Sequence, residues 1–217
     1  MEELDNQEPG AAIVGNGLIT YVAGLSREEK RDVRYSLRLA HWAADRKYDY
    51  ATELDDWFLY FAATLKFLGW VPSGDAITEI HHPNFYGTVA QVYLTSLIAG
   101  GNAAQANVTR AAFDALSADK SASKVFYSTS SQAGDFQILP VERDSQRRLK
   151  MTVNNFRLRS RSMPEEFLFF KWTEQTTKLL QHYGRFLLDR SVFEQNRAFL
   201  ERRIKEIAIS EFELNLQ

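Results

Sequence analysis

Apolar residues in the first half of the chain recur with the three- to four-residue spacing of amphipathic helices. The first helix is predicted over 27–46, because Ser26 and Glu29 have the spacing of a capping box and the apolar residues after them share one helical face. These apolar residues are Val33, Leu37, Ala40 and Ala44.

An aromatic stripe marks the second predicted helix, which begins near Leu54 and ends at Gly69, a residue suited to a C-cap. Trp57, Phe58 and Phe61 recur there with helical spacing. A stripe of this kind could line a ligand pocket, but it is more typical of a helix face packed in the core, so we expect the three rings to be buried.

Three more helices are predicted from the same periodicity: 86–99, with Asn84 as its N-cap, 105–118 and 189–207. Short β-branched or aromatic runs predict strands over 18–22, 76–80 and 124–130, and residues 207–216 predict a final strand or a frayed tail.

The second half of the chain has the alternation of a sheet. Residues 134–160 predict two strands joined by a polar turn at 144–147, with Pro140 at an edge or a bulge, and residues 165–188 predict a further pair. Because helices and strands are segregated along the chain, the fold class is α+β, with a helix-rich N-terminal half packed on an antiparallel sheet from the C-terminal half.

Composition places the chain among ordinary globular proteins. It has 217 residues, 45% of them hydrophobic, and a formal net charge of −2. We expect one domain over 11–217 after a disordered acidic tail over 1–10. No cysteine is present, which excludes thiol catalysis and disulfides. Without an apolar leader, the expected location is the cytoplasm, or the exterior by a route without a cleaved signal peptide.

The stretch Thr78-Glu-Ile-His-His-Pro raises the question of a metal site, because it holds two of the four histidines. In an extended chain His81 and His82 point to opposite faces, so one ion is not expected to bind both. Glu79 and His81 share a face, but zinc requires three or four ligands. The segment is therefore interpreted as the end of a strand, and neither a metal nor another cofactor is predicted.

Catalytic signatures are missing from the sequence. It contains no P-loop, no Gly-x-Gly-x-x-Gly and no Gly-x-Ser-x-Gly, and the turn Gly15-Asn16-Gly17 is only a weak phosphate signal. Asp55 and Asp56 are adjacent at a helix start, where acids complement the helix dipole. No catalytic residue is predicted, although acids and histidines from distant segments could still meet in the fold.

A basic segment is the best candidate for binding. Six bases and no acid lie between residues 147 and 161, and Arg157, Arg159 and Arg161 alternate so that they share one strand face. These three residues and Arg148 form the predicted binding set, for an acidic protein partner or an anionic membrane surface. The alternative is a solvated sheet face, or a sheet edge protected by charge. Nucleic acid is not expected as a partner, since the overall charge is not basic.

Several short motifs along the sequence also resemble those of a known group of proteins. The sequence resembles a poorly characterised group of bacterial and fungal proteins with a Gly-Asn-x-Leu start, matched at 15–18, an Asp-Val-x-x-Ser-x-x-x-Ala helix at 32–40, a Trp-x-x-Tyr helix at 57–60 and a Leu-Gly-Trp end at 68–70. The segment "GDFQILPV" also looks like that group. A fainter similarity is to Evf-type bacterial virulence factors. The motifs imply a fold rather than an activity.

The function expected from the sequence is a non-enzymatic interaction or effector protein, of a virulence or toxin-like kind, that binds a protein partner or a membrane surface and that could form homo-oligomers. The alternative is a hydrolase-like enzyme whose acids and histidines meet only in the fold. A deep pocket that holds His41 or His182 beside buried carboxylates would favour the enzyme. A shallow basic face or an exposed apolar patch would favour binding.

Overall fold

A computed structural model describes residues 8–74, 78–82, 85–130, 134–160, 164, 166–173 and 177–216, with the backbone alone at 78, 79, 81 and 82. The helices are α1 (Arg27–Asp45), α2 (Leu54–Phe67), α3 (Val89–Ala99), α4 (Ala103–Ala118), α5 (Lys120–Ser130) and α6 (Arg190–Ile204). The strands are β1 (Gly10–Val14), β2 (Gly17–Tyr21), β3 (Trp70–Pro72), β4 (Thr78–His82), β5 (Asp135–Arg143), β6 (Leu149–Arg159), β7 (Lys178–Leu188) and β8 (Glu211–Leu214).

The described strands form one sheet in the order β3-β7-β6-β5-β2-β1-β8, and β4 pairs with β7 beside β3. The α+β class is confirmed. The sheet is mixed rather than purely antiparallel, because β2 and β5 run parallel. A parallel pair needs a long crossover, and here α1 to α5 lie between the two strands. The N-terminal half thus supplies strands to the sheet as well as helices.

Helices cover both faces of the sheet, and each face has its own core. On β5, Leu139 and Val141 pack with α1, α2 and α6, whereas Phe136 and Ile138 pack with α3, α4 and α5. The cause is the alternation of side chains along a strand, which sends neighbouring residues to opposite faces. Among the described residues, no helix has the length and apolar character needed to cross a membrane.

The second helix has the predicted aromatic face. Trp57, Phe58 and Phe61 are at most 1% exposed in the core between α1, α2 and the sheet. Gly69 follows the helix with φ of 95°, and a Cβ atom there would lie 2.8 Å from the Asp189 carbonyl oxygen. The left-handed backbone and the close approach both require glycine, as the C-cap prediction implied.

Three element predictions were wrong. Residues 124–130 belong to α5, where Asp119 accepts hydrogen bonds from the Ser121 and Ala122 amides, so local capping outweighs the β-forming Val-Phe-Tyr run. Of the pair predicted over 165–188, only β7 is a strand among the residues that the structure describes there, and Trp172 makes an isolated bridge to Gly87. Pro140 lies inside β5, between β2 and β6, rather than at an edge.

The ends of other predicted elements also differ. The N-cap of α3 is Thr88, whose side chain accepts from the Gln91 amide, and the predicted cap Asn84 lies outside the described residues. Residues 1–7 of the predicted tail lie outside them as well, and Gly10, its last residue, begins β1.

Candidate functional site

A row of polar side chains crosses three neighbouring strands on the face covered by α1 and α2. Gln137 of β5 lies opposite Asn155 of β6, which lies opposite His182 of β7. All three residues are buried, at 0–4% exposure. The same face is apolar on β5 from Leu139 onward, so this row is where the floor of the core becomes polar. Buried polar groups are costly unless they are hydrogen-bonded, which makes their partners informative.

His41 of α1 is the first of these partners. Its Nε2 atom lies 3.0 Å from Oε1 of Gln137, and its ring packs edge-on against Trp57 and Phe61 of α2. Gln137 uses its amide nitrogen to donate to Oδ1 of Asn155 at 3.2 Å, so its oxygen faces His41. His41 Nε2 is therefore the donor, which leaves Nδ1 of the neutral ring as a proton acceptor.

Burial lowers the pKa of His41, against the opposing effects of the Asp45 charge and the hydrogen bond to Gln137. The residue is only 5% exposed, so its charged form loses most of its hydration. His41 is therefore neutral near pH 7. A neutral imidazole with one nitrogen unprotonated is the form that accepts a proton.

A buried ion pair supports the other end of the polar row. The Asp135 carboxylate is fully enclosed, and Arg157 donates to it from Nε at 2.9 Å and from Nη2 at 3.1 Å. Burial raises the pKa of Asp135, and the hydrogen bonds and charge of Arg157 act against this. Arg157 also donates to the Tyr50 carbonyl at 2.5 Å, and Asn16 donates to the Asp135 carbonyl at 3.2 Å. The pair thus fixes the two loops that contain Asn16 and Tyr50.

Tyr50 closes the polar row. Its hydroxyl donates to Oδ1 of Asn155 at 2.6 Å. Burial and the nearby Asp135 charge raise the pKa of the phenol, so Tyr50 stays a protonated donor. Its ring lies edge-on against Trp57 at 4.4 Å.

A cavity of about 400 Å³ opens above this arrangement. The residues that matter for its chemistry are Asn16, His41, Asp45, Tyr50 and Trp57. Asp45 accepts a hydrogen bond from Nε1 of Trp57 at 2.7 Å, which orients the ring at the wall. Gly15, which also lines the cavity, has φ of 57°, so the Gly-Asn-Gly turn brings a backbone segment to this site. The cavity therefore combines one buried base with several hydrogen-bonding groups.

His182, at the far end of the row, meets a different carboxylate. Its Nε2 atom lies 3.1 Å from Oδ1 of Asp55, and its ring lies 5.4 Å from the ring of Phe58. Asp55 is largely exposed, in the first turn of α2, where its charge also suits the helix dipole. The two histidines thus join helices to the sheet: His41 connects α1 to β5, and His182 of β7 contacts α2.

The predicted arginine set is divided by the structure. Arg157 belongs to the buried pair with Asp135, and half-exposed Arg159 has Nη1 3.4 Å from the same carboxylate. Arg148 lies at the other end of β6 and pairs with Asp144 at 2.8 Å. Arg161 lies outside the described residues. The intervening residues Phe156 and Leu158 face the opposite core.

That no metal binds at His81 and His82 stays a prediction from the sequence. β4 has the expected strand backbone and places Glu79 opposite His182, but the side chains of His81 and His82 lie outside the described residues. Within the described part of the chain, no three His, Cys, Asp or Glu side chains group in a way that could hold a metal ion.

Comparisons with known proteins do not identify a family for the chain. No protein-family profile matches the chain, and no curated protein matches it. Among solved structures, one described as "Structure of the Evf virulence factor" is similar with a TM-score of 0.42 and 11% identity, over 93% of this chain and 85% of the other. At that level the likeness carries no functional argument.

Proposed function

We propose that the chain is an enzyme of the hydrolase-like class, which binds a small polar substrate in the cavity above His41 and uses His41 as its general base. The observation that carries the proposal is a buried imidazole at the cavity wall whose Nε2 atom lies 3.0 Å from Oε1 of Gln137, a contact that assigns the ring proton to Nε2. Of the two functions that the sequence left open, this is the second, an enzyme whose active-site residues come from distant segments of the chain.

His41 would accept a proton at Nδ1 from water or from a substrate hydroxyl. The charge of Asp45 and the hydrogen bond from Nε2–H to Gln137 both favour the imidazolium that then forms. Positioned proton transfer of this kind contributes about 10²–10⁴-fold to a rate. Tyr50 and Asn155, locked by the Asp135–Arg157 pair, keep the floor of the site rigid, so that the base does not have to be repositioned during the reaction.

The test is a panel of p-nitrophenyl carboxylic esters, phosphates and glycosides, measured with wild type and with His41→Gln. Glutamine keeps a donor near the position of Nε2 but cannot take up a proton. We expect turnover of at least one class to fall about 10²–10⁴-fold in His41→Gln. His82→Gln controls for unspecific imidazole reactivity and should keep the wild-type rate. Turnover that persists in His41→Gln would contradict the proposal.

A second candidate is the non-enzymatic binding protein that the sequence first indicated. The observation that favours it is a set of large apolar side chains left exposed on α2, with Leu59 at 59% and Phe67 at 53% exposure. Exposed apolar groups of this kind are typical of surfaces that meet another protein or a second copy of the chain. Sedimentation of wild type beside Leu59→Ser/Phe67→Ser would show concentration-dependent association that only wild type retains. Failure to hydrolyse any substrate class together with such association would favour this candidate.

A further inference from the structure

A second cavity, of about 590 Å³, lies away from His41, where the β5–β6 turn meets β3, the end of β7 and the start of α6. Its wall combines four arginines with apolar side chains. The arginines are Arg143, Arg147, Arg148 and Arg190, and the apolar residues include Val71 and Leu187. Val71 is 46% exposed, so an apolar surface is open to a ligand here.

Arg147 has an unusual backbone in the β5–β6 turn. Its φ is 62°, and it is the one non-glycine residue with positive φ among the described residues. Asp144 builds the turn: its Oδ1 atom accepts from the amides of Gln146 and Arg148, and its carbonyl accepts from the amide of Arg147. Glycine would satisfy this backbone without the steric cost that a Cβ atom brings. An arginine here therefore indicates a use for its side chain.

The arginines of the cleft differ in whether a carboxylate contacts them. Carboxylates hold three of its guanidinium groups in place: Glu29 lies 2.8 Å from Arg143 and 3.0 Å from Arg190, and Asp144 lies 2.8 Å from Arg148. Within the described part of the chain, the Arg147 guanidinium makes no such pair, although Arg143 donates to the Arg147 carbonyl at 2.9 Å. Glu29 and Asp189 line the cleft, and Asp144 and Asp32 contact its arginines from outside the lining, so the charges of the three paired arginines are offset.

We propose that this cleft binds an amphiphilic organic anion, whose carboxylate or phosphate meets Arg147 and whose apolar part lies on Val71 and Leu187. Arginine suits either anionic group, because its planar fork of donors can bind two oxygens at once. Both a free alkyl acid and an anionic lipid combine an anionic group with an apolar chain. The experiment must therefore distinguish these two kinds of ligand.

The experiment titrates octyl phosphate, octanoate and uncharged octanol into wild type, Arg147→Gly and Arg110→Ala by calorimetry. Arg110 is an exposed arginine of α4, a helix that does not line the cleft, so its substitution removes the same charge elsewhere. We expect wild type and Arg110→Ala to bind at least one of the two anions about tenfold or more tightly than octanol. Arg147→Gly should lose this preference while its melting temperature stays equal or rises, because glycine fits the turn.

Two results would overturn the proposal. One is anion binding by Arg147→Gly that equals wild type. The other is binding to vesicles of anionic lipid without any binding of soluble octyl phosphate or octanoate. If Arg110→Ala and Arg147→Gly weaken this vesicle binding equally, the attraction is to the overall charge of the protein and not to the cleft. Vesicle binding lost only in Arg147→Gly, beside binding of the soluble anions, would support the cleft and add lipid as a source. Because these readouts do not depend on hydrolysis, they are independent of His41.

Discussion

Burial has opposite effects on two residues that touch each other in the core. Phe61 has no exposed surface, and removing its apolar ring from water stabilises the fold. His41, whose ring contacts that of Phe61, is enclosed almost as fully, and for this ionisable group the same burial disfavours the charged form. One environment therefore yields both stability and a neutral base.

The Phe61→Ala substitution should lower the free energy of unfolding by about 3–5 kcal/mol, because a large buried ring is replaced by a cavity. Leu59→Ala is the matched control on the exposed side of the same helix and should change stability by less than about 1 kcal/mol. Urea denaturation of both variants measures the difference. A Phe61→Ala loss as small as that of Leu59→Ala would show that the aromatic face is not core.

The lowered pKa of His41 also predicts how stability depends on pH. The unfolded chain, with a histidine pKa of about 6.5, takes up a proton that the folded chain resists, so stability falls as pH drops through about 7 to 5. The loss that His41 contributes can reach about 1.4 kcal/mol per pH unit below 6.5. His41→Gln should lack this component. Parallel pH profiles of wild type and His41→Gln would rule out a depressed pKa.

Between elements, an ion network rather than apolar contact alone joins α1 to α6. Asp32 of α1 is almost fully buried and accepts from Arg197 at 2.8 and 2.9 Å and from Arg190 at 3.1 Å. Asp32→Asn keeps the shape but leaves the arginines without their charge partner, so we expect a loss of about 3–5 kcal/mol. Glu194→Gln removes an exposed partner of Arg197 and should cost less than about 1 kcal/mol. Equal costs in thermal unfolding would refute a special role for Asp32.

The helices and strands show how much of the secondary structure local sequence patterns can predict. α1 was predicted from Ser26 and Glu29, and both hydrogen bonds of that capping box form. The strand predicted over 124–130 failed because Val-Phe-Tyr favours β structure locally, whereas α5 buries Ala122, Phe126 and Ser130 at helical spacing. Mixed strand pairing was also invisible, because nothing local specifies that β2 should lie parallel to β5.

The candidate site was less predictable than the fold for a physical reason. His41 and Gln137 are 96 residues apart, and only the β2–β5 pairing and the packing of α1 bring them together. The one signal available was the polar Gln137 and Asn155 at inward positions of strands that are otherwise apolar there. Arg157 was singled out correctly as a strand residue, but its partner Asp135 could not be identified without the β5–β6 register.

At the scale of the whole molecule, one sheet separates two cores that share its strands. Because β5 and β6 contribute side chains to both, we expect the cores to unfold together, as the prediction of a single domain over 11–217 requires. Phe61→Ala in one core and Phe136→Ala in the other should each shift a single urea transition, identical by circular dichroism and tryptophan fluorescence. Two separated transitions would show two independent units.

The central claim, that His41 is a neutral base with Nδ1 unprotonated, is tested most directly by nitrogen-15 NMR of the imidazole rings. The chain has four histidines, and spectra of His41→Gln assign the one in question. We expect His41 to stay neutral as pH falls through 6.5, with a proton on Nε2 and none on Nδ1. A ring that titrates at or above 6.5, or that carries its proton on Nδ1, would contradict it.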